Sequence, residues 1–361
     1  MIEQYTIDAT PKYNFPQLTM DMTLPQRFIE LSLHSLKKMR SQAFQLNQPS
    51  IQQDNSREQL YTLQLIPQTQ PIPLNAKTSL TTIAAVDSSS IKIGETIEGV
   101  IIAVRGTAVW KKGKNYTYLR IGPFVFHITE ENIREVYNTL LKAYFPEQNS
   151  QASPRFVQTP MRMANILEKW LQTLMAKTMQ NGLILFDGSL TAGTADTPIH
   201  QLNQILATAR SMGNTVLAFT KATTLRLNGY LITDAFANHK PPCLIEVANI
   251  KPKPPLVLLG EVYVAKLARG NYAFRLDIDR EVKMPERIEA VEKLLGNDII
   301  TQGYPETLRL AHILCTFTAN EVIAMKHFIQ QKHRLRIVDR PDMHRLLFGP
   351  FGKGECHYEA L

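Results

Sequence analysis

The chain has 361 residues, a formal net charge of +8 at pH 7 and a hydrophobic fraction of 44%, which allows two or three average domains, or one large domain, with a sizeable core. Because no run of about 18 apolar residues occurs, the sequence predicts no membrane-spanning helix, and residues 1–5 do not begin like a signal peptide. Three scattered cysteines argue against a disulfide framework and for a cytoplasmic location, and the basic excess is compatible with a polyanionic partner.

Residues 1–78 contain one helical pattern. Apolar side chains at helical spacing, with Thr23 as a cap and Pro25 in the first turn, predict an amphipathic helix over 24–46. A polar loop, a strand and a Pro/Gln-rich linker are predicted after it, over 47–58, 60–66 and 67–73. We expect this N-terminal segment to be separate from the main domain and to be a possible dimerisation element.

Residues 79–331 are predicted to form the main domain, because strand and helix patterns alternate there. Strands are predicted for a run ending at Asp87 and for 98–110, 115–128, 183–187, 214–220, 243–249, 257–266 and 272–279. Helices are predicted for 129–144, 159–180, 197–212, 284–296 and 305–331. Two hairpin-linked strands after the first strand, followed by helix, strand, helix and strand, give the order of a ribonuclease H-like fold.

The predicted fold class is therefore α/β, a ribonuclease H-like mixed sheet flanked by helices, with helical extensions at the N-terminal and C-terminal ends. Residues 332–361 are predicted to be a basic C-terminal extension. Such a run is either an ordinary solvated surface or a groove that follows nucleic-acid phosphates.

Two apolar runs end in an aspartate followed by small residues. Asp87 precedes Ser88, Ser89 and Ser90, and Asp187 precedes Gly188. Each aspartate alone is typical of a turn that ends a strand. Their repetition at equivalent places in the fold instead predicts two carboxylates at one sheet edge, which is what a Mg²⁺ or Mn²⁺ site acting on phosphodiesters needs.

A third acid is predicted from the helix before the strand of Asp187. Glu168 is the only acid of the predicted helix 159–180, and its neighbours at helical spacing are apolar. The alternative is an ordinary helix-flank glutamate that pairs with Arg162 or Lys169.

Three further side chains are candidates for chemistry. Lys221 directly follows the strand 214–220 and could contact a scissile phosphate, although a solvated turn lysine is the simpler interpretation. His312 lies two helical turns after Pro305 and could transfer a proton near neutral pH, although a lone helical histidine is more often structural. Tyr304, near the start of that helix, is a possible polar companion of His312.

In these motifs the chain resembles the NurA family of nucleases. The matching segments are 85–89, with serine at position 88 where the family often has glycine, the helix residue Glu168, the run 183–190 and the segment 303–312. The last of them, Gly-Tyr-Pro-x-x-Leu-x-x-Ala-His, is the most specific. The resemblance covers about residues 80–320, and the order of the four motifs adds to its specificity.

The resemblance implies that Asp87, Glu168 and Asp187 bind the metal and that Tyr304 and His312 complete the active site. It implies Mn²⁺, with Mg²⁺ also allowed by oxygen ligands, in a site of two ions bridged by Asp87. It further implies DNA as substrate, a HerA-like hexameric ATPase as partner and a ring-shaped homodimer.

The function predicted from the sequence is metal-dependent hydrolysis of DNA phosphodiester bonds, of single-strand endonuclease and 5′–3′ exonuclease type, in DNA end resection, repair or defence. Two alternatives remain. One is a non-catalytic DNA-binding or scaffold subunit, against which the retained acids argue. The other is a sugar- or acetate-kinase-like enzyme of the same core fold, which normally has a glycine-rich adenosine loop and a second such domain, and neither feature is found.

Overall fold

The computed structural model describes residues 23–37, 61–63, 70–144, 154–194, 197–227, 230–236, 239–248 and 250–333. The helices in these ranges are α1 (Thr23–Lys37), α2 (Ile133–Tyr144), α3 (Thr159–Thr178), α4 (Ile199–Ser211), α5 (Ile232–Ala235), α6 (Met284–Asn297), α7 (Glu306–Cys315) and α8 (Ala319–His333). None of these helices is both long and apolar enough to cross a membrane.

The strands of the described ranges are mostly short outside the central sheet. They are β1 (Tyr61–Leu63), β2 (Ile72–Pro73), β3 (Ile83–Glu95), β4 (Gly99–Lys112), β5 (Asn115–Thr129), β6 (Leu183–Asp187), β7 (Thr191–Ala192), β8 (Thr215–Thr220), β9 (Arg226–Leu227), β10 (Tyr230–Leu231), β11 (Cys243–Glu246), β12 (Ile250–Pro252), β13 (Val257–Leu258), β14 (Gly260–Lys266), β15 (Phe274–Asp279), β16 (Ile300–Thr301) and β17 (Tyr304–Pro305).

A nine-stranded mixed sheet organises the molecule, with the strand order β2-β11-β14-β15-β8-β6-β3-β4-β5. Strands β3, β4 and β5 are antiparallel, whereas β3, β6 and β8 pair in parallel. The helices α3 and α4 precede β6 and β8 respectively, as crossover connections between parallel strands require. The predicted α/β class with a ribonuclease H-like strand order is confirmed, and four antiparallel strands extend the sheet beyond β8.

Each face of the sheet is covered by helices because side chains along a strand alternate between faces. On β3, Ala84 and Val86 pack in the cluster that includes α3, whereas Ile83 and Ala85 pack in the cluster that includes α6 and α7. Helix α3 lies very close to β4. A Cβ atom at Gly106 would lie 2.8 Å from a methyl carbon of Leu171, so a larger residue there would force the Leu171 side chain to shift.

Helix α1 runs along the outer strand, β5. Its Phe28 is fully buried and lies 5.3 Å, centroid to centroid, from the ring of Phe124. The hydroxyl of Ser32 donates to the carbonyl of Val125, and Ser35 Oγ accepts from the backbone N–H of His127 at 2.8 Å. Serine hydroxyls therefore satisfy backbone groups on the side of β5 that pairs with no strand in the described part of the chain. The predicted continuation of this helix to residue 46 and the loop 47–58 lie outside the described residues.

Four element predictions are wrong. Residues 72–73, predicted to belong to a linker, form β2 and pair with β11 at the edge of the central sheet. The strand predicted over 257–266 is two strands, β13 and β14, with different partners. The first strand does not end at Asp87 but continues to Glu95, because β4 supplies a partner for the additional residues. The single helix predicted over 305–331 is two helices, α7 and α8. Thr318 caps the start of α8 through a capping box. The Glu321 carboxylate accepts from the Thr318 N–H at 2.9 Å, and the Glu321 N–H donates to the Thr318 hydroxyl.

The smaller boundary differences follow local turns. The helix predicted from residue 129 begins at Ile133, because Asn132 Oδ1 accepts from the Thr129 N–H in a turn before it. The domain division at 78/79 and 331/332 stays a prediction, and most of the basic extension 332–361 lies outside the described residues.

A buried histidine on β5 gives a test of the fold. Burial lowers the pKa of His127 from its ordinary value of 6.5 to about 4. At this histidine the unfolded chain binds more protons than the folded chain between these values, so the contribution of His127 to stability is full above pH 6.5 and is lost as the pH falls towards 4. We expect this contribution, measured by urea unfolding as the difference from a variant without the histidine, to fall by at most about 3 kcal/mol over this range.

The His127→Gln variant is the control for this prediction, because glutamine can still hydrogen-bond Thr96 but does not titrate. Its free energy of unfolding should depend less on pH between 6.5 and 4 than that of the unaltered chain. Equal losses of stability in both proteins would contradict the assignment to His127.

Candidate active site

Two neighbouring parallel strands place the first two acids side by side. The pairing of β3 and β6 runs from Ile83 opposite Leu183 to Val86 opposite Phe186. Asp87 and Asp187 are the next residues of the two strands. Asp87 is buried and Asp187 is partly buried. The sequence-based expectation that these two strands are neighbours is confirmed.

The turn after Asp187 is fixed by its own backbone. Gly188 has φ of +108°, a conformation that favours glycine, and its N–H donates to the Phe219 carbonyl at 2.8 Å. The Gly188 carbonyl accepts from the Thr220 hydroxyl at 2.8 Å. The chain therefore turns away immediately after Asp187, and this carboxylate stays at the end of β6.

Helix α3 supplies the third acid. Its apolar side packs on the sheet through Met163, Leu167 and Leu171, which leaves Glu168 at the margin of the packed face. The Ser88 hydroxyl donates to Glu168 Oε2 at 3.0 Å, so the helix and strand β3 are bonded directly beside Asp87. The three predicted carboxylates thus come together from β3, β6 and α3.

Helix α7 brings a histidine to the same place. His312 Nδ1 lies 2.7 Å from Asp87 Oδ2, and its side chain is 49% exposed. Because a carboxylate can only accept, this contact requires a proton on Nδ1 and leaves Nε2 available to a ligand or solvent. The start of α7 is held by Asp298, whose Oδ2 accepts from the Thr307 N–H at 3.1 Å.

Tyr304 lies beside the acids without bonding to His312. Its ring packs edge-on against Phe219 and Phe274, with centroid distances of 6.0 and 5.2 Å. The hydroxyl is buried and has no hydrogen-bond partner among the described residues. Burial and the carboxylates of Asp187 and Asp87 raise the pKa of this phenol, so it stays protonated. The expected Tyr304–His312 pairing is therefore absent from the described structure, in which His312 pairs with Asp87.

Lys221 follows β8 and completes the group. Its Nζ lies 2.7 Å from Asp187 Oδ2 and 5.8 Å from the centroid of the Tyr304 ring. The lysine side chain is 40% exposed, so its ammonium group is accessible from outside the cluster. All six residues singled out in the sequence therefore lie in one connected group, although their catalytic roles remain a prediction.

The convergence of like charges defines the electrostatics of the cluster. Burial, and then the Asp87 carboxylate, raise the pKa of Glu168 to about 8. Burial also raises the pKa of Asp187. The ammonium group of Lys221 lowers this pKa in part, and the Asp87 carboxylate raises it further. Neighbouring carboxylates repel one another when all are ionised. A bound cation would supply positive charge that stabilises their ionised forms.

Sequence reasoning missed two residues of the site, namely Gln172, which bonds Glu168, and Cys315, one helical turn after His312. It included Ser88 in the Asp87 motif but did not foresee the bond of its hydroxyl to Glu168. Helical spacing of three or four residues from Glu168 and His312 could have indicated Gln172 and Cys315.

Cys315 creates a second possible donor set. Donor atoms of Asp87, His312 and Cys315 all lie within 4.8 Å of one another. However, burial and the carboxylates of Asp87 and Glu168 raise the pKa of the Cys315 thiol far above its ordinary value. Since a thiol binds metals as the thiolate, the carboxylate oxygens are the better donors here.

Residues 81–232 match the family model of the NurA domain. The chain therefore contains a NurA domain over these residues. The resemblance derived from the sequence motifs is thereby confirmed for the part of the chain that contains Asp87, Glu168, Asp187 and Lys221. Tyr304 and His312 lie outside the matched residues. No curated protein matches the chain significantly.

Solved structures similar to the chain share little sequence with it. A crystal structure of NurA is 11% identical and covers 72% of this chain and 90% of its own, with a TM-score of 0.39. A crystal structure of NurA with manganese is 10% identical, covers 71% and 89%, and has a TM-score of 0.40. Endonuclease V from Bacillus subtilis is 13% identical, covers 73% and 89%, and has a TM-score of 0.31.

The raised pKa of Glu168 predicts proton-linked cation binding. Below about pH 8 this carboxyl carries a proton that a cation must displace, whereas above it the carboxylate is already free. The Mn²⁺ affinity should therefore rise up to about tenfold per pH unit towards pH 8 and level off above it. Calorimetry in two buffers with different ionisation enthalpies measures both the affinity and the protons released.

Glu168→Gln is the control for that measurement, because the amide has nearly the same shape and does not titrate. This variant should bind Mn²⁺ more weakly and release fewer protons. An affinity that is constant between pH 6 and pH 8 would contradict the prediction.

The Lys221–Asp187 ion pair predicts that replacing Lys221 has opposite effects on Mn²⁺ affinity and on the cleavage rate. In Lys221→Met the cluster loses a positive charge, so Mn²⁺ should bind about threefold to tenfold more tightly. If Lys221 also contacts the phosphate, the cleavage rate at saturating Mn²⁺ should fall. Calorimetry and single-turnover cleavage measure the two effects, with the exposed Lys240→Met as the matched control. Weaker Mn²⁺ binding in Lys221→Met would contradict the prediction.

Proposed function

We propose that this chain is a metal-dependent deoxyribonuclease that hydrolyses phosphodiester bonds. The NurA domain belongs to a nuclease-type family. The observation that carries the proposal is the convergence of Asp87, Glu168 and Asp187 from three separate elements. His312 pairs with Asp87 and Lys221 pairs with Asp187 in the same cluster. Buried like charges are costly, and their concentration at one sheet edge is typical of a functional site.

The donor set fits a hard divalent cation. Asp87, Glu168 and Asp187 would hold Mn²⁺ or Mg²⁺, because all three provide oxygen atoms. A cation would also favour the ionised form of Glu168, whose pKa is raised by burial and then by the Asp87 carboxylate. Two ions of this kind, when bound, supply Lewis-acid stabilisation of phosphate oxygens and make water a stronger nucleophile. The carboxylate cluster therefore accounts for the predicted metal dependence without any additional cofactor.

The other site residues act on the substrate. Lys221 reaches the cluster from the accessible side, where its ammonium group can offset negative charge on the phosphate as it is attacked. His312 is oriented by Asp87 through Nδ1, and its side chain is half-exposed, so Nε2 can orient a water molecule or, when the ring is protonated, donate to the leaving oxygen. The Tyr304 hydroxyl, which has no hydrogen-bond partner among the described residues, can donate to an oxygen in the same space.

Single-stranded DNA is the proposed substrate, with endonuclease and 5′–3′ exonuclease cleavage in end resection, repair or defence. The net charge of +8 supports a polyanionic substrate. A HerA-like hexameric ATPase as partner and a homodimeric assembly in the cytoplasm complete the proposal, and both rest on the family resemblance.

End-labelled single-stranded DNA, incubated with Mn²⁺, Mg²⁺ or EDTA, tests the proposed activity directly. We expect cleavage with a divalent cation and none with EDTA. Asp187→Ala and Glu168→Gln should each reduce the rate at least about 100-fold, because each removes a charged ligand from the cluster. The exposed Asp234→Asn, outside the cluster, is the control and should cleave at the original rate.

Cleavage that survives in both cluster variants would overturn the assigned site. The absence of cleavage by the unaltered chain, even after addition of a HerA-like ATPase, would favour the non-catalytic DNA-binding alternative.

A further inference from the structure

Both oxygens of the Glu168 carboxylate are occupied by a donor from the protein. The Ser88 hydroxyl donates to Oε2, and Gln172 Nε2 donates to Oε1, each at 3.0 Å. The two donors come from different elements, strand β3 and helix α3. Glu168 is thus held from two directions, which fixes the rotation of a carboxyl group that is otherwise free to turn.

Gln172 is well placed for this role because its amide can point only one way. The side chain is 1% exposed and lies one helical turn after Glu168. Its Oε1 accepts from Lys169 Nζ at 2.9 Å. With an ammonium group at its carbonyl and a carboxyl group at its amino end, the amide is oriented by opposite charges at its two ends.

Ser88 connects two acids of the cluster at once. Its backbone N–H donates to Asp87 Oδ1 at 2.7 Å, while its hydroxyl donates to Glu168. Its position is set by the pairing of β3 with β4, in which Ser88 lies opposite Gly106. A change in the side chain at position 88 therefore affects Glu168 without removing the backbone contact to Asp87.

We infer that Ser88 and Gln172 are positioning residues that orient the Glu168 carboxylate toward the cation site. The inference rests on the proposed metal-dependent function. Each carboxylate oxygen has two lone-pair positions, so one donor on each oxygen leaves one position on each for a cation. Without these donors, Glu168 has to be ordered by the cation itself, and part of the binding free energy is lost.

The test compares Ser88→Ala, Gln172→Met and the double variant. Methionine has nearly the length of glutamine and suits a packed helix, so it removes the amide while filling its space. Ser90→Ala is the matched control, because Ser90 lies on the same face of β3 and neither Glu168 oxygen is bonded to it. Ser88→Thr retains the hydroxyl and tests for rescue.

We expect each single variant to bind Mn²⁺ about 10-fold to 100-fold more weakly in calorimetry, while Ser90→Ala keeps the original affinity and Ser88→Thr recovers most of it. The Mn²⁺ EPR spectrum of the bound ion should also change in the single variants. In cleavage assays, the Mn²⁺ concentration at half-maximal rate should rise more than the rate at saturation falls. Thermal unfolding without metal checks that each variant is folded.

Original Mn²⁺ affinity in a folded Ser88→Ala and a folded Gln172→Met would overturn the inference while the proposed function stands. If Gln172→Met does not fold, Ser88→Ala with Ser88→Thr decides alone. Failure of the unaltered chain to bind Mn²⁺ would overturn the proposed function and this inference with it.

Discussion

The parallel register of β3 and β6 determines the position of every other group in the acidic cluster. Because the two strands are in register up to Val86 and Phe186, the next residues of each strand, both aspartates, must be neighbours. Helices on the two faces of the sheet then meet at this point, α3 with Glu168 from one side and α7 with His312 from the other. A shift of one residue in this pairing would turn one aspartate to the opposite face.

Concentrating three carboxyl groups costs free energy, and the surrounding residues show how the fold limits that cost. Lys221 pairs with Asp187, His312 pairs with Asp87, and donors from Ser88 and Gln172 reach Glu168. Each acid thus has its own polar partner, yet the pKa of Glu168 remains raised. The compensation is incomplete, and an incompletely compensated negative site favours positively charged ligands.

The sequence was informative where a local pattern decided the outcome. Apolar runs ending in aspartate and a single acid in a long helix identified the three carboxylates, and the order of elements identified the core of the sheet. Local patterns could not show that β3 continues past Asp87, because Ser88 and its neighbours resemble a turn until β4 is available to pair with them. Strands were predicted at 243–249, 257–266 and 272–279, but their places in the sheet were not. The pairings of β15 with β8 and of β11 with β2 join segments that are distant in the chain, and such pairing has no local signal. Gln172 was overlooked because its importance depends on which side of α3 faces the sheet.

Helix α1 has a consequence for how the molecule behaves in solution. The outer strand β5 is 15 residues long, and an open edge of that length can recruit a strand from another molecule. Ser32 and Ser35 occupy backbone groups along this edge, and Phe28 covers the apolar side chains beside it. A chain shortened to the family-matching residues 81–232 would lose this cover and expose β5 to intermolecular pairing. The first helix is therefore a safeguard against aggregation as well as a part of the core.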